Sequence, residues 1–430
     1  MARPPSGKNP ASARNAEPLG TATRRAALRL LDAVLRRGEP LEAALVSATR
    51  HIYGPDRGLA HAIAAEVLRR LPDLDAMIDS VTERPLPDDA KARMALRIAL
   101  VQALVLGTPH HAAISTVLPL VDGGPRKLVH GVFGTLMRGG ATLPEVPTLP
   151  AAVADRWRVT WGDEVAVAAA RAITAPPPID LSLADPAWEG IDAPSLAPAH
   201  RRVHAGSTIG DLPGYDDGAW WVQDIAASIP ARLIGRGAGT ALDLCAAPGG
   251  KTLQLAAAGW RVTAVEASES RAARLEENRA RTRLSFDIAI ADVLDWQPPA
   301  PAAAVLVDAP CSATGIFRRH PDVLYRAHDA MIAEMADVQA RILDRAADWV
   351  APGGVLVYAT CSLERTEGED QATRFAATHP GFSPLPATAD ELPAGLPATP
   401  EGWVRTLPGM LEEAGGCDGF FIARWRRALT

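Results

Sequence analysis

Apolar positions along this chain keep two different rhythms. From Thr21 to about Arg138 they recur at helical spacing, as in Leu28, Leu31 and Leu35, then Ala44, Leu45 and Ala48, then Ala60–Leu71. The stretch Ala92–Leu106 is apolar nearly all round and predicts a central buried helix. Breaks at Gly38–Pro40, Gly54–Pro55, Pro85–Pro87, Gly107–Pro109 and Gly123–Pro125 divide the segment into six or seven helices joined by short connections. His110-His111 falls in one such connection and reads as a helix entry rather than a metal site.

The second rhythm starts near residue 236, where short apolar runs alternate with helical patterns. Strands are expected at Ala241–Leu244, Arg261–Val265, Phe286–Ala291, Ala303–Val307 and Val355–Thr360. The helices between them are Lys251–Ala258, Glu269–Arg283, His328–Val350 and Gly368–His379, and an antiparallel pair closes the chain near Trp403–Leu407 and Gly419–Trp425. Such alternation predicts an α/β fold with a doubly wound parallel sheet. Gly139–Pro150 is punctuated by Pro and Gly, Arg156–Thr174 predicts one or two helices, and Trp220–Ile234 returns to helical character, whereas Ala175–Asp217 yields no element. The expected organisation is therefore a loose tail over 1–20, an all-α bundle over 21–138, a linker over 139–155, a connecting subdomain over 156–235 and the sheet domain over 236–430. Gly235–Gly239 is glycine-rich but precedes its strand, and a phosphate-cradling loop must follow one.

Composition adds constraints. At 430 residues, with 48% apolar and 22% charged residues, the chain is too long for one core. It has no apolar run near the ~20 residues of a membrane helix. A cytoplasmic protein without membrane contact is expected, and a monomer. Cys245, Cys311, Cys361 and Cys417 show no CxxC pairing and no His at ligand spacing, so neither a metal nor a disulfide framework is expected. The net charge of −6 divides unevenly: 19 basic against 14 acidic residues over 1–150, and 25 against 36 over 151–430. A surface that follows phosphates belongs to the amino-terminal part or to local Arg clusters.

Candidate chemistry gathers at strand ends. In open α/β sheets ligands bind at the carboxyl ends of the strands. There the first strand feeds the turn Cys245, Ala246, Ala247, Pro248, Gly249, Gly250 and Lys251, the second ends in Glu266, the third in Asp292, and the fourth runs through Asp308 to Cys311. A tight turn followed by an acid about 20 residues on suits a nucleoside cofactor, Glu266 taking the ribose hydroxyls and Asp292 an adenine amino group. The turn lacks GxGxxG, which favours S-adenosylmethionine over a dinucleotide. Two thiols, at 311 and 361, suit covalent activation of cytosine: a thiolate adds to carbon 6, carbon 5 becomes nucleophilic, and a base removes the carbon 5 proton afterwards. Spacing alone leaves open which cysteine attacks.

Three stretches, DLCAAPGGKT at 243–252, DAPCSATG at 308–315 and TCSLERTEGE at 360–369, resemble the Sun/RsmB family of RNA cytosine-5 methyltransferases. VQD at 222–224 and the closing LPG…DGFFIAR extend the likeness over about 200 residues, and RAALRLLDAVLR at 24–35 with Asp56-Arg57, Arg84-Pro85-Leu86 and Leu96-Arg97 is similar to the NusB-like RNA-binding domain. The combination implies a methyltransferase acting on 16S ribosomal RNA through a Cys–C6 adduct. It implies Cys361 as nucleophile, Cys311 as promoter of product release, and Cys245–Lys251, Glu266, Asp292 and Asp308 as cofactor contacts, with Asp308 also toward the cytosine amino edge. Family members commonly carry Asp where Glu266 stands. Two rival readings are a DNA cytosine-5 methyltransferase, with the Pro310-Cys311 thiol attacking, and a non-catalytic RNA-binding assembly factor.

Overall fold

The computed structural model describes residues 17–429, which fall into two compact units meeting at Thr148 and Leu149. Of the tail expected over 1–20, residues 1–16 lie outside the described residues.

The first unit consists of α1 (Thr21–Arg37), α2 (Leu41–Ala48), α3 (Pro55–Arg69), α4 (Leu71–Asp79), α5 (Lys91–Leu104), α6 (His110–Val117) and α7 (Gly124–Arg138). Helix α5 is the central one: every residue from Ala92 to Gln102 is buried, and α1, α3, α4, α6 and α7 pack on it. Two of those residues are arginines, and a buried guanidinium persists only where its donors are matched. Arg93 meets Asp79 at 2.6 Å and Asp75 at 3.2 Å, and Arg97 meets Asp75 at 2.7 Å. The acids of α4 thus let an apolar helix carry two cations inward.

The second unit opens with α8 (Ala151–Trp161) and α9 (Asp163–Ala172); α8 begins inside the stretch expected to be linker. A three-stranded antiparallel sheet follows, β1 (Ile179–Leu183), β2 (His200–Val203) and β3 (Trp220–Val222), in the order β2-β1-β3. The helix expected over Trp220–Ile234 is shorter: α10 spans Ile225–Ile234, and Asp224 caps it by accepting the Ala226 N–H at 2.9 Å. Trp220 packs with Leu181 and Leu183, while Trp221 packs with Ile225 and Ile229 in a different core. Two adjacent indoles can enter opposite cores on a strand, whose period is two, but not on a helix.

The main sheet is built from β4 (Thr240–Leu244), α11 (Gly250–Ala257), β5 (Arg261–Glu266), α12 (Glu269–Thr282), β6 (Asp287–Ile290), β7 (Ala302–Asp308), α13 (Val323–Arg326), α14 (Asp329–Asp348), β8 (Val350–Thr360), α15 (Glu369–Thr378), β9 (Phe382–Pro384), β10 (Val404–Thr406) and β11 (Phe420–Arg427). Its order is β10-β11-β8-β7-β4-β5-β6, with β9 paired to β11. Strands β4 to β8 are parallel and the β11 pairings antiparallel. One face is covered by α10, α11 and α12 through Ile229, Leu253 and Leu275, the other by α14 and α15 through Leu343 and Phe375. This is the expected doubly wound sheet preceded by a helical bundle. Residues 156–235, expected as a connecting subdomain, fall within the second unit. Gly235–Gly239 lies ahead of β4, where Trp260 donates to the Gly235 carbonyl at 2.8 Å.

Trp157 of α8 ties this region to the sheet. It is fully buried, lies 5.2 Å from the Phe317 ring, and donates from Nε1 to Glu364 at 3.2 Å. Trp157→Ala is expected to destabilise the second unit by about 3–5 kcal/mol, read as a lowered urea midpoint of the full chain.

Candidate active site

Register places the site. Leu244 pairs with Val307 and Asp308 with Ala359, so the carboxyl ends of β4, β7 and β8 lie side by side. Strand order reverses between β4 and β7, the switch point at which open sheets leave a crevice. A cavity of about 630 Å³ opens there. Its lining includes Cys245–Pro248, Gly250, Lys251, Asp308, Cys311, Cys361 and Phe420, together with Trp221–Asp224.

The turn after β4 needs glycine at position 249, where φ is 107° and a Cβ would touch Leu275. Asn278 donates to the Pro248 carbonyl at 2.9 Å and Arg271 to that of Ala247 at 3.3 Å, so α12 holds the turn from behind. Glu266 is buried and accepts N–H bonds from Ala247 at 3.2 Å and Ser268 at 2.9 Å, with Arg271 3.1 Å away. Its carboxylate therefore fastens the turn to the start of α12. Asp292 lies beyond β6, exposed, with one oxygen accepting the Leu294 N–H at 2.8 Å. Neither Glu266, Asp292 nor Gly249 lines the cavity that holds the thiols.

Lys251 is buried, bonds Asp308 at 2.7 Å, and has its ammonium 5.3 Å from the Phe420 ring centre. Burial alone would lower its pKa, but the Asp308 carboxylate more than offsets that and raises it. An intact ammonium therefore sits beside Asp308 at the lip. The Asp243 carboxyl, on β4 opposite Leu306, is pushed up to about 7 by burial although Thr252 donates to it.

The two thiols are brought together. Cys311 Sγ lies 3.5 Å from Cys361 Sγ, and all four cysteines are free. The hydrogen bond to Cys361 and burial raise the Cys311 thiol well above its ordinary value, and burial raises Cys245 to about 12 and lifts Cys417 as well. The loops carrying the pair approach closely: Gly315 donates to the Cys361 carbonyl at 2.9 Å, Gly419 donates to the Gly315 carbonyl at 2.9 Å, and a Cβ on Gly315 would overlap Gly419. Beneath them Glu367 accepts from the backbone of Ser312 at 2.8 Å and the hydroxyl of Ser362 at 2.5 Å. Sequence reasoning missed Glu367, which stands in a charged run, TEGE, of the kind that usually caps an exposed helix.

A glycine-dependent turn at a strand end and two adjacent thiols line one crevice, the arrangement of a group-transfer enzyme. Residues 233–426 match the family described as 16S rRNA methyltransferase RsmB/F, and residues 21–134 match the NusB family. A ribosomal RNA small subunit methyltransferase B of Xylella fastidiosa is 35% identical over 434 residues, covering 94% of this chain and 98% of its own. The enzyme of that name from Pseudomonas putida is 31% identical over 93% of this chain and 97% of its own. The chain belongs to the ribosomal RNA small subunit methyltransferase B family. Its fold resembles that of PH0851, with a TM-score of 0.73 at 21% identity over 95% of this chain and 99% of that one. It also resembles NSun6 from Pyrococcus horikoshii, solved with SFG, with a TM-score of 0.56 at 16% identity over 65% and 98% of the two chains. No helix among the described residues is long and apolar enough to cross a membrane.

Because burial raises Cys245 and Cys417, and the bond to Cys361 together with burial raises Cys311, iodoacetamide at about pH 8 is expected to spare these three thiols. Peptide mapping by mass spectrometry reads this directly, and labelling of Cys311 would contradict it.

Proposed function

We propose that this chain transfers the methyl group of S-adenosylmethionine to carbon 5 of a cytosine in 16S ribosomal RNA, through a covalent bond between Cys361 and carbon 6. The observation that carries the proposal is the pair of free thiols 3.5 Å apart in one cavity with the Cys245–Lys251 turn. That turn and Asp308 would hold the cofactor, with Glu266 and Asp292 at the neighbouring strand ends for its ribose and adenine. The glycine-dependent bend at Gly249 suits a nucleoside pressed against the backbone. Bound there, S-adenosylmethionine supplies an electrophilic methyl group.

The Cys361 thiol gives its proton to solvent and adds as the thiolate to carbon 6, and the displaced electron pair makes carbon 5 nucleophilic. Asp308, kept in place by Lys251, faces the cytosine amino edge. After methylation carbon 5 still carries its proton, and Cys311 removes it so that the Cys361 sulfur can leave. The resting arrangement suits this division. The largest influence holding the Cys311 proton is its bond to Cys361, and that influence ends when Cys361 becomes a thioether. Once the adduct has formed, Cys311 gives its own proton to solvent, and the resulting thiolate takes the carbon 5 proton.

On a denaturing gel, Cys311→Ala is expected to accumulate a covalent RNA adduct and Cys361→Ala to form none. A reversed pattern would make Cys311 the nucleophile. For the bundle, the proposal is RNA contact through its excess of basic residues, 19 against 14 over 1–150. Removing residues 1–148 is expected to weaken RNA affinity and to flatten its dependence on salt; an unchanged salt slope would assign the bundle another task.

A further inference from the structure

Between the two cysteine loops lies a side chain that does not line the cavity. Glu367 is fully buried in a single helical turn, Arg365–Glu367, between β8 and α15. Its carboxylate takes bonds from both sides of the sulfur pair: from the Ser312 N–H at 2.8 Å and the Ser312 hydroxyl, and from the Ser362 hydroxyl at 2.5 Å. Gln339 of α14 adds a donor at 3.1 Å and bonds the Pro310 carbonyl at 2.8 Å, so both flanks of Cys311 are fixed. The Glu367 carbonyl accepts from Tyr358 at 2.7 Å and Thr360 at 3.2 Å, which fixes the turn to the end of β8.

One carboxylate therefore bonds the immediate neighbours of Cys311 and Cys361, residues 50 positions apart in sequence. Burying a carboxylate is costly, and burial pushes the Glu367 carboxyl up against the pull of its donors. A polar cluster this dry holds geometry when every member is matched. Neither serine belongs to a regular element that would fix its position by itself.

We propose that Glu367 is a positioning residue that sets the separation of the Cys311 and Cys361 sulfurs by tying Ser312 and Ser362 to one acceptor. The inference rests on the methyltransferase reading above for its consequence, but its geometry can be tested without it. Removing the carboxylate frees the loops and lengthens the sulfur separation. Replacing it with an amide keeps the tie, because both serine hydroxyls can turn to accept from the amide nitrogen while the amide oxygen still accepts from the Ser312 N–H.

The experiment is cross-linking of the purified full chain with oxidised glutathione. The two thiols give one Cys311–Cys361 disulfide and two reduced glutathiones, counted by mass spectrometry, with S-adenosylmethionine affinity by calorimetry as the check on folding. Glu367→Ala is expected to slow the disulfide and single-turnover methylation together, each by about 10- to 100-fold. Glu367→Gln should restore most of both rates, and Ser312→Ala should fall between, with the Glu367→Ala/Ser312→Ala pair no slower than Glu367→Ala alone. Should Glu367→Ala lose cofactor affinity, the rate of Ser312→Ala decides. A wild-type disulfide rate in a variant that binds cofactor overturns the proposal. Slowed cross-linking alongside a wild-type chain that methylates no RNA leaves the positioning role standing and overturns the functional reading instead.

Discussion

Parallel pairing of β7 with β8 is the constraint on which the site depends. The register matches Asp308, the last residue of β7, with Ala359 of β8, which ends one residue later at Thr360, and the short loops beyond bring the Cys311 and Cys361 sulfurs to 3.5 Å. A shift of one residue would turn alternate side chains to the opposite face. Buried branched residues on both strands, Val305 and Leu356 in one core and Leu306 and Val357 in the other, prevent that slip by committing each face to its own core.

Charge is placed with equal economy around the crevice. Asp180 joins His200 and Arg202 inside the small sheet, and although burial alone would raise its carboxyl, their hydrogen bonds bring it down to about 2. The same carboxylate accepts the Ile225 N–H at 2.9 Å, and Asp224 continues the chain of contacts to Arg318 at 3.1 Å and to the Asp418 N–H at 3.1 Å. Arg319 reaches Asp418 in turn. A polar thread thus runs from the small sheet through the start of α10 to the segment after Cys311, its carboxylates held by Arg202, Arg318 and Arg319 and joined through the backbone N–H groups of Ile225 and Asp418.

The sequence made the large architecture legible because buried parallel strands are short apolar runs and bundle helices are periodic. It hid β1 and β2 for a physical reason: IDLSL and HRRV carry Asp180, His200 and Arg202, which read as loop until Arg202 and His200 are seen to gather on the Asp180 carboxylate across the ladder. Both thiols and the glycine turn were legible, since strand-end position and residue type together mark them. Asp292 was legible as a strand-end acid, yet its local bond to Leu294 is of the kind any Asp makes in a turn, and one-dimensional spacing cannot separate the two uses. Glu367 was invisible because its importance comes from Ser312, 55 positions away.

Chain order gives the crevice a history. Gly419 and β11 are made after every other strand of the sheet, yet Gly419 abuts Gly315 and β11 lies against β8. During synthesis the bundle, the glycine turn and both sulfurs are all complete before the strand that braces them exists. A polypeptide still emerging from the ribosome therefore carries both sulfurs before the strand that braces their loops has been made.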